Sequence, residues 1–81
     1  MHYAHILECA DGTYYTGYTT NLARRLHAHN HLKSGAHYTK IRRPVVLRYS
    51  KKFRTLARAR AVEAEWKRMT REEEEKMVVG K

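Results

Sequence analysis

The stretch DGTYYTGYTTNLARR, Asp11 to Arg25, holds a turn, a strand and the start of a helix in one short run. Asp11-Gly12, preceded by Ala10, is a hairpin signal, because glycine takes up the positive φ that tight turns need. Before it, HYAHILEC (2–9) mixes aromatic, β-branched and aliphatic residues and reads as a strand. After it, TYYTGYT (13–19) reads as the returning strand. Gly17 stands where that strand ends, or where something must approach its backbone closely. Thr20 or Asn21 is then a good N-cap. Leu22 and Leu26, at i and i+4, predict an amphipathic helix over 21–30.

Working outward, HLKSGAHYTKIRRP (31–44) has no clear period and reads as a basic loop. Pro44 opens PVVLRYS, whose Val45, Val46, Leu47 and Tyr49 predict a third strand. Thr55 caps a second helix over about 55–68, with the apolar line Leu56, Ala59, Val62, Trp66 and Met69. Thr70-Arg71-Glu72-Glu73 is a capping box. It opens a short third helix whose apolar residues are Met77, Val78 and Val79. There is no internal repeat, low-complexity tract or linker. The expected fold class is α+β: a small three-stranded antiparallel sheet flanked by helices in the order ββαβαα, as one domain over 1–81.

The 81 residues bound the fold to a small domain with a thin core. A single cysteine, Cys9, excludes an intramolecular disulfide framework and fits a reducing cytosol. No apolar run approaches the ~18 residues of a membrane span, and no basic-then-apolar leader begins the chain. Seventeen Lys and Arg against eight Asp and Glu give a net charge of +9. The charge is uneven. Residues 1–60 hold 12 basic residues and only two acids, Glu8 and Asp11, whereas residues 61–81 are close to neutral. Such a cationic body attracts polyanions, so nucleic acid is the expected partner. The basic residues form no single amphipathic helix with an aromatic face, which argues against a membrane surface.

Three groups bear on chemistry. On the first helix, Arg25 and His29 lie one turn apart and flank the Leu22–Leu26 stripe, while Arg24 lies nearly opposite, toward water. They read either as ordinary helix-surface residues or as groups aimed at the sheet edge beside Tyr15 and Gly17. On the second helix, Glu63 borders the buried face and Glu65 points further away. A carboxylate there needs a cationic partner, which is either one of the many arginines, in a salt bridge, or a divalent metal. His27, His29 and His31 alternate, which suits neither one helix face nor a zinc pair at i, i+4. Cys9 lacks a second nearby cysteine and reads as a small buried strand residue.

Taken together, these residues resemble the GIY-YIG nuclease superfamily, in particular its small stand-alone bacterial subfamily. The resemblance spans nearly the whole chain. Its elements are Tyr15-Thr16-Gly17, Arg25 ten residues after Tyr15, and His29 four further on. His29-Asn30, the run from Tyr38-Thr39 to Arg43-Pro44-Val45, and Glu63-Ala64-Glu65-Trp66-Lys67 complete it. Each motif alone is weak, but their order, spacing and element placement together are specific. One position departs: ten residues before Tyr15, where the family's first signature carries a tyrosine, this chain has His5.

The resemblance implies a metal-dependent endonuclease that hydrolyses phosphodiester bonds in DNA, single-stranded or branched forms included, with magnesium or manganese as the divalent metal. It implies catalytic roles for Tyr15, Arg25, His29 and Glu63, and for His5 in place of the first tyrosine. Glu63 is implied as the metal ligand, since one carboxylate suits magnesium, which keeps waters and substrate oxygens as its other ligands. Arg25 matches a phosphate with parallel donors. Tyr15 would hold or activate the attacking water, although a phenol with a pKa of about 10 needs nearby cations to act as a base. An imidazole at His5, unperturbed at about 6.5, needs less help. Arg24, Lys33, Lys40, Arg42 and Arg43 are expected phosphate contacts, with His37 or Tyr38 stacking on a base. Tyr38 reads equally as a packing anchor. A non-catalytic nucleic-acid-binding module with a decayed site is the rival, kept alive by His5, and the charge also permits an RNA-associated role. The chain is expected to act as a cytoplasmic monomer or weak homodimer.

Overall fold

The computed structural model describes residues 1–31 and 37–79. Strands β1 (His2–Glu8) and β2 (Tyr14–Thr19) are followed by helices α1 (Leu22–His31) and α2 (His37–Lys40). Strand β3 (Val46–Phe53) and helices α3 (Leu56–Lys67) and α4 (Arg71–Val79) complete the chain. The three strands form one antiparallel sheet, as the sequence predicts, and their order is β2-β1-β3. The single-turn α2 falls within the stretch read as loop. One turn is too short to leave a period in the sequence.

Strand β1 is central, and four consecutive residues, Ala4 to Leu7, are buried. A strand buried on alternate positions has one covered face, so a continuous run means that both faces are covered. On one face Ala4 and Ile6 pack with Trp66 and Val78, joined by Tyr49, Phe53, Val62 and Met69. On the other, Leu7 packs with Cys9 and Val45, joined by Tyr15 and Leu26. Helices α3 and α4 thus serve one face and α1 the other. Leu56, placed on the apolar line of α3 by its spacing, is instead 42% exposed. It sits in the first turn, where the helix has barely reached the sheet.

The local signals hold the elements as expected. Gly12 has φ +84°, and the hairpin closes with Cys9 N donating to Thr13 O at 2.8 Å. Asn21, rather than Thr20, caps α1 by accepting from Arg24 N at 3.0 Å. Thr55 Oγ1 accepts from Arg58 N at the start of α3. The capping box of α4 is reciprocal: Thr70 Oγ1 accepts from Glu73 N, and Glu73 Oε1 accepts from Thr70 N.

Two long-range polar contacts fasten the end of α1 to the start of β3. The Asn30 side chain mimics a strand partner: Oδ1 accepts from Val45 N at 2.7 Å, and Nδ2 donates to Val45 O at 3.0 Å. Arg43 Nε donates to His29 O at 2.6 Å and its Nη2 to Ala28 O at 3.4 Å, meeting carbonyls near the end of α1. Replacing Asn30 by Ala strands a donor and an acceptor of the Val45 backbone, whose residue is only 2% exposed. Asn30→Ala should therefore lower unfolding stability by about 2–3 kcal/mol in urea titrations, and Asn30→Asp, which keeps the acceptor, should lose less.

Candidate active site

The alternation of β1 and β2 decides which side chains meet. In the hairpin register His5 faces Gly17 and Leu7 faces Tyr15. His5, Tyr15 and Gly17 therefore lie on one face of the sheet, the face that α1 covers. Helix α1 adds His29, which is fully buried, and Arg25, which is half-buried. The ring of His29 lies edge-on to Tyr15, with centroids 5.2 Å apart, and edge-on to His5 at 6.4 Å. Arg24 is exposed, as its helix position predicts.

Gly17 does not end its strand, which runs on to Thr19. What approaches it is His5. A Cβ at position 17 would sit 2.9 Å from His5 Cε1 and 3.2 Å from Nε2. The imidazole is 0% exposed and has nowhere to move, so glycine is required there by side-chain packing rather than by backbone angle.

This cluster is rich in polar atoms that the protein leaves without partners. Both ring nitrogens of His5, Nε2 of His29 and Nε of Arg25 are buried with no hydrogen-bond partner among the described residues. Buried polar groups are ordinarily paired, and a set of four in one place marks a site that takes up something polar. His29 is held from its other side, where Nδ1 shares a 2.7 Å hydrogen bond with the buried hydroxyl of Thr39 on α2. Thr39 was absent from the expected site. No local pattern announces it, because the one-turn helix that carries it has none.

Burial pushes the His5 imidazole down to about 4, with the nearby His29 and Arg25 adding to the shift. Burial likewise pushes His29 down to about 4, assisted by Arg25 and Arg43. Both rings are therefore neutral near pH 7. The ordinary imidazole value therefore does not apply at His5, whose strand is covered on both faces.

Glu63 arrives from the opposite layer, on α3, which packs against β1 and β2. It is buried at 8% exposure, and its Oε2 meets Lys67 Nζ at 2.9 Å. The cationic partner is thus a lysine one turn on, at i, i+4. Glu65 is exposed. Glu63 holds the Lys67 ammonium above its ordinary value through that hydrogen bond and its charge, and Tyr15 and Tyr18 contribute further. Tyr15 and Glu63, from two layers, therefore act on one ammonium at the β2 side of the sheet. Among the described residues no group of three or more His, Cys, Asp and Glu is placed to hold a metal ion. A single buried carboxylate is a donor that magnesium or manganese takes, and it does not fit a zinc cage, but here Lys67 already occupies it.

The expected phosphate contacts divide. Arg24 is exposed and Lys40 partly so. Arg42 pairs with Asp11 at 2.9 Å, and Arg43 is turned inward onto the carbonyls of α1, so both brace the fold. Lys33 lies outside the described residues, as do the side chains of His37 and Tyr38.

The histidine pair makes stability depend on pH. Unfolded, each histidine binds its proton at about 6.5; folded, each does so only at about 4. The contribution is fully present above the unfolded value and is lost as pH falls from about 6.5 toward 4, by up to about 1.4 kcal/mol per pH unit for each ring. Urea midpoints measured from pH 7.5 to 4.5 should fall across that window, and His5→Phe should make the fall shallower.

The chain is similar to known proteins over nearly its whole length. The model of the GIY-YIG catalytic domain matches residues 1–77. A UPF0213 protein of Streptococcus agalactiae is 51% identical over 70 residues, covering 86% of this chain and 78% of that one. One of Halobacterium salinarum is 44% identical over 75 residues, covering 93% and 96%. The solution NMR structure of a UPF0213 protein from Bacillus halodurans has 41% identity and a TM-score of 0.62, over 99% of this chain and 84% of that one. The solution NMR structure of a protein from E. faecalis has 38% identity and a TM-score of 0.63, over 98% and 83%. No helix among the described residues is long and apolar enough to cross a membrane. With its Tyr-x-Gly strand, its arginine and histidine on α1 and its buried glutamate on α3, the chain belongs to the GIY-YIG nuclease family, within the group of small UPF0213 proteins.

Proposed function

We propose that this chain, as a single domain, is a metal-dependent endonuclease that hydrolyses phosphodiester bonds in DNA. The observation that supports this most is the set of buried, unpartnered polar atoms on Arg25, His29 and His5 beside Tyr15. A phosphate oxygen is the kind of acceptor that Arg25 Nε lacks. Arg25 binds the non-bridging oxygens, where a guanidinium offers parallel donors and opposes the charge that grows as the phosphorus is attacked. Tyr15 holds the attacking water and takes up its proton. His29, neutral and fixed through Thr39, orients the Tyr15 ring. His5, neutral and wholly enclosed, packs the floor of the site and positions Tyr15 and His29 rather than reaching solvent. Glu63 is the metal ligand, with Lys67 leaving its carboxylate when the ion binds. A bound divalent ion would supply Lewis-acid polarisation of the phosphate and stabilise the leaving oxygen. Arg24 and Lys40 contact flanking phosphates.

The His5 substitution and the Glu63–Lys67 pair favour one rival, a binding module whose catalysis has decayed. Incubation with single-stranded, duplex and branched DNA and with RNA, in magnesium or manganese, separates the two. Cleavage that a chelator abolishes supports the enzyme, and binding without cleavage in any of these supports the module.

Mutants should sort by role. Glu63→Ala should abolish metal-dependent cleavage while leaving DNA binding largely intact. Arg25→Ala should raise the barrier by about 3 kcal/mol or more in single-turnover kinetics, whereas Arg24→Ala should mainly weaken binding in a salt-dependent way. Equal rate losses in the two arginine mutants would overturn the assignment.

The pH dependence tests the base. With His5 and His29 neutral down to about 4, neither should produce a rise in rate between pH 6 and 7. The wild-type profile should therefore show no histidine step in that range. Tyr15→Phe should be the severe mutant, and His5→Tyr should retain activity. A rate that levels off above about pH 5 would point to a histidine base.

A further inference from the structure

Tyr18 follows Gly17 on β2 and pairs with Ala4, so its ring leaves the sheet on the α3 side. It is 40% exposed, although it is a large aromatic residue on a strand one position from the site. Arg60 of α3 sets its guanidinium carbon 5.9 Å from the ring centroid, within cation–π range. Arg60, Glu63 and Lys67 stand at i, i+3 and i+7 and share one face of α3. That face therefore carries, in order, a cation over Tyr18, the candidate metal ligand, and the ammonium on which Glu63, Tyr15 and Tyr18 all act. Tyr18 is thus on the rim of the candidate site, on the edge strand β2, and outside the roles assigned so far.

We propose that Tyr18, backed by Arg60, is a stacking seat for one unpaired nucleobase beside Glu63 and Lys67, across the β2 edge from the phosphate taken up at Arg25, so that the substrate is a single-stranded or locally unpaired nucleic acid. The proposal rests on the reading that the cluster takes a phosphodiester. Every base has a π face that an exposed phenol ring can cover, and an arginine beside the ring adds attraction for both the base and its phosphate. In a duplex both faces of a base are already stacked, so the seat offers a paired base nothing. The selectivity is for unpaired bases and not for a sequence.

The test reads binding in a chelator, without cleavage. A single-stranded 12-mer carrying 2-aminopurine at one position per probe, made as DNA and as RNA, is titrated with protein and compared with the same DNA in a fully paired duplex. The wild type should quench the fluorophore in at least one position of the single strand and should bind single strand more tightly than duplex. Tyr18→Ala should remove the quench and weaken single-strand binding by about tenfold, with duplex affinity changed less than twofold. Tyr18→Phe and Tyr18→Trp should retain the quench, whereas Tyr18→Leu, which keeps apolar bulk without a π face, should not. Arg60→Gln should weaken single-strand binding less than Tyr18→Ala. The proposal is overturned if Tyr18→Ala weakens both forms equally or neither, or if Tyr18→Leu binds and quenches like the wild type. Equal behaviour of the DNA and RNA strands assigns the seat to the base alone, and a preference for one shows which sugar the neighbouring contacts accept. Because no metal or cleavage enters, a protein that fails to cut DNA can still pass this test, and an active nuclease can fail it.

Discussion

Strand β1 has no face left for water, and the rest of the molecule follows from that constraint. Ala4 and Ile6 need an apolar cover, and α3 and α4 provide it through Trp66 and Val78. Leu7 on the other face draws in Leu26 of α1 and Val45. His5 sits in the same strand, on the face of Leu7, and is sealed by the same layers. Only glycine opposite leaves space for its ring. The position of the imidazole, its neutrality, and the closeness of Tyr15 and His29 are thus consequences of closing a central strand on both sides. Two helical layers enclosing a three-stranded sheet also bring Arg25 and Glu63, from opposite sides, to the β2 half of the sheet.

Features set by short-range chemistry were legible in the sequence. The Asp11-Gly12 turn, the caps of α1 and α3 and the box at Thr70 each depend on residues within a few positions of one another, and each is seen in the structure. Helix spacing correctly placed Arg24 outside and set Arg25 and His29 against the sheet. Spacing says which side of a helix a residue occupies, but not how much of that side the sheet reaches. Leu56 illustrates the gap, exposed at the helix start despite its place on the apolar line. Arg42 and Arg43 illustrate another: as charges in a basic run they look like nucleic-acid contacts, yet Asp11 and two carbonyls of α1 engage them. Those partners are distant in sequence and bear no pattern. The partner of Glu63 was legible as a type, a cation, but not as Lys67.

The distribution of charge takes on a different meaning once these arginines are placed. The positive excess of residues 1–60 is not one uniform surface. Part of it secures the junction of α1, β3 and the hairpin, where guanidinium groups satisfy backbone and carboxylate acceptors. Part of it, at Arg24 and Arg60, remains at the surface. A net charge of +9 thus overstates the cations open to a polyanion. The exposed remainder is spread over α1, β3 and α3, with Arg24, Arg48, Lys51, Lys52, Arg58 and Arg60 among it.

The contact of His29 with Thr39 and of Asn30 with Val45 closes the chain on itself at the end of α1. Whatever chain runs between Asn30 and Thr39 begins and ends at fixed points, and neither point depends on its length. The entropy of closing a loop grows only slowly, by about 0.6 kcal/mol for each doubling of its length. On closure entropy alone, a change in the number of residues between those two anchors therefore costs little. Because each end is fastened separately, the reach of the connection is a quantity the fold can vary without building a new core.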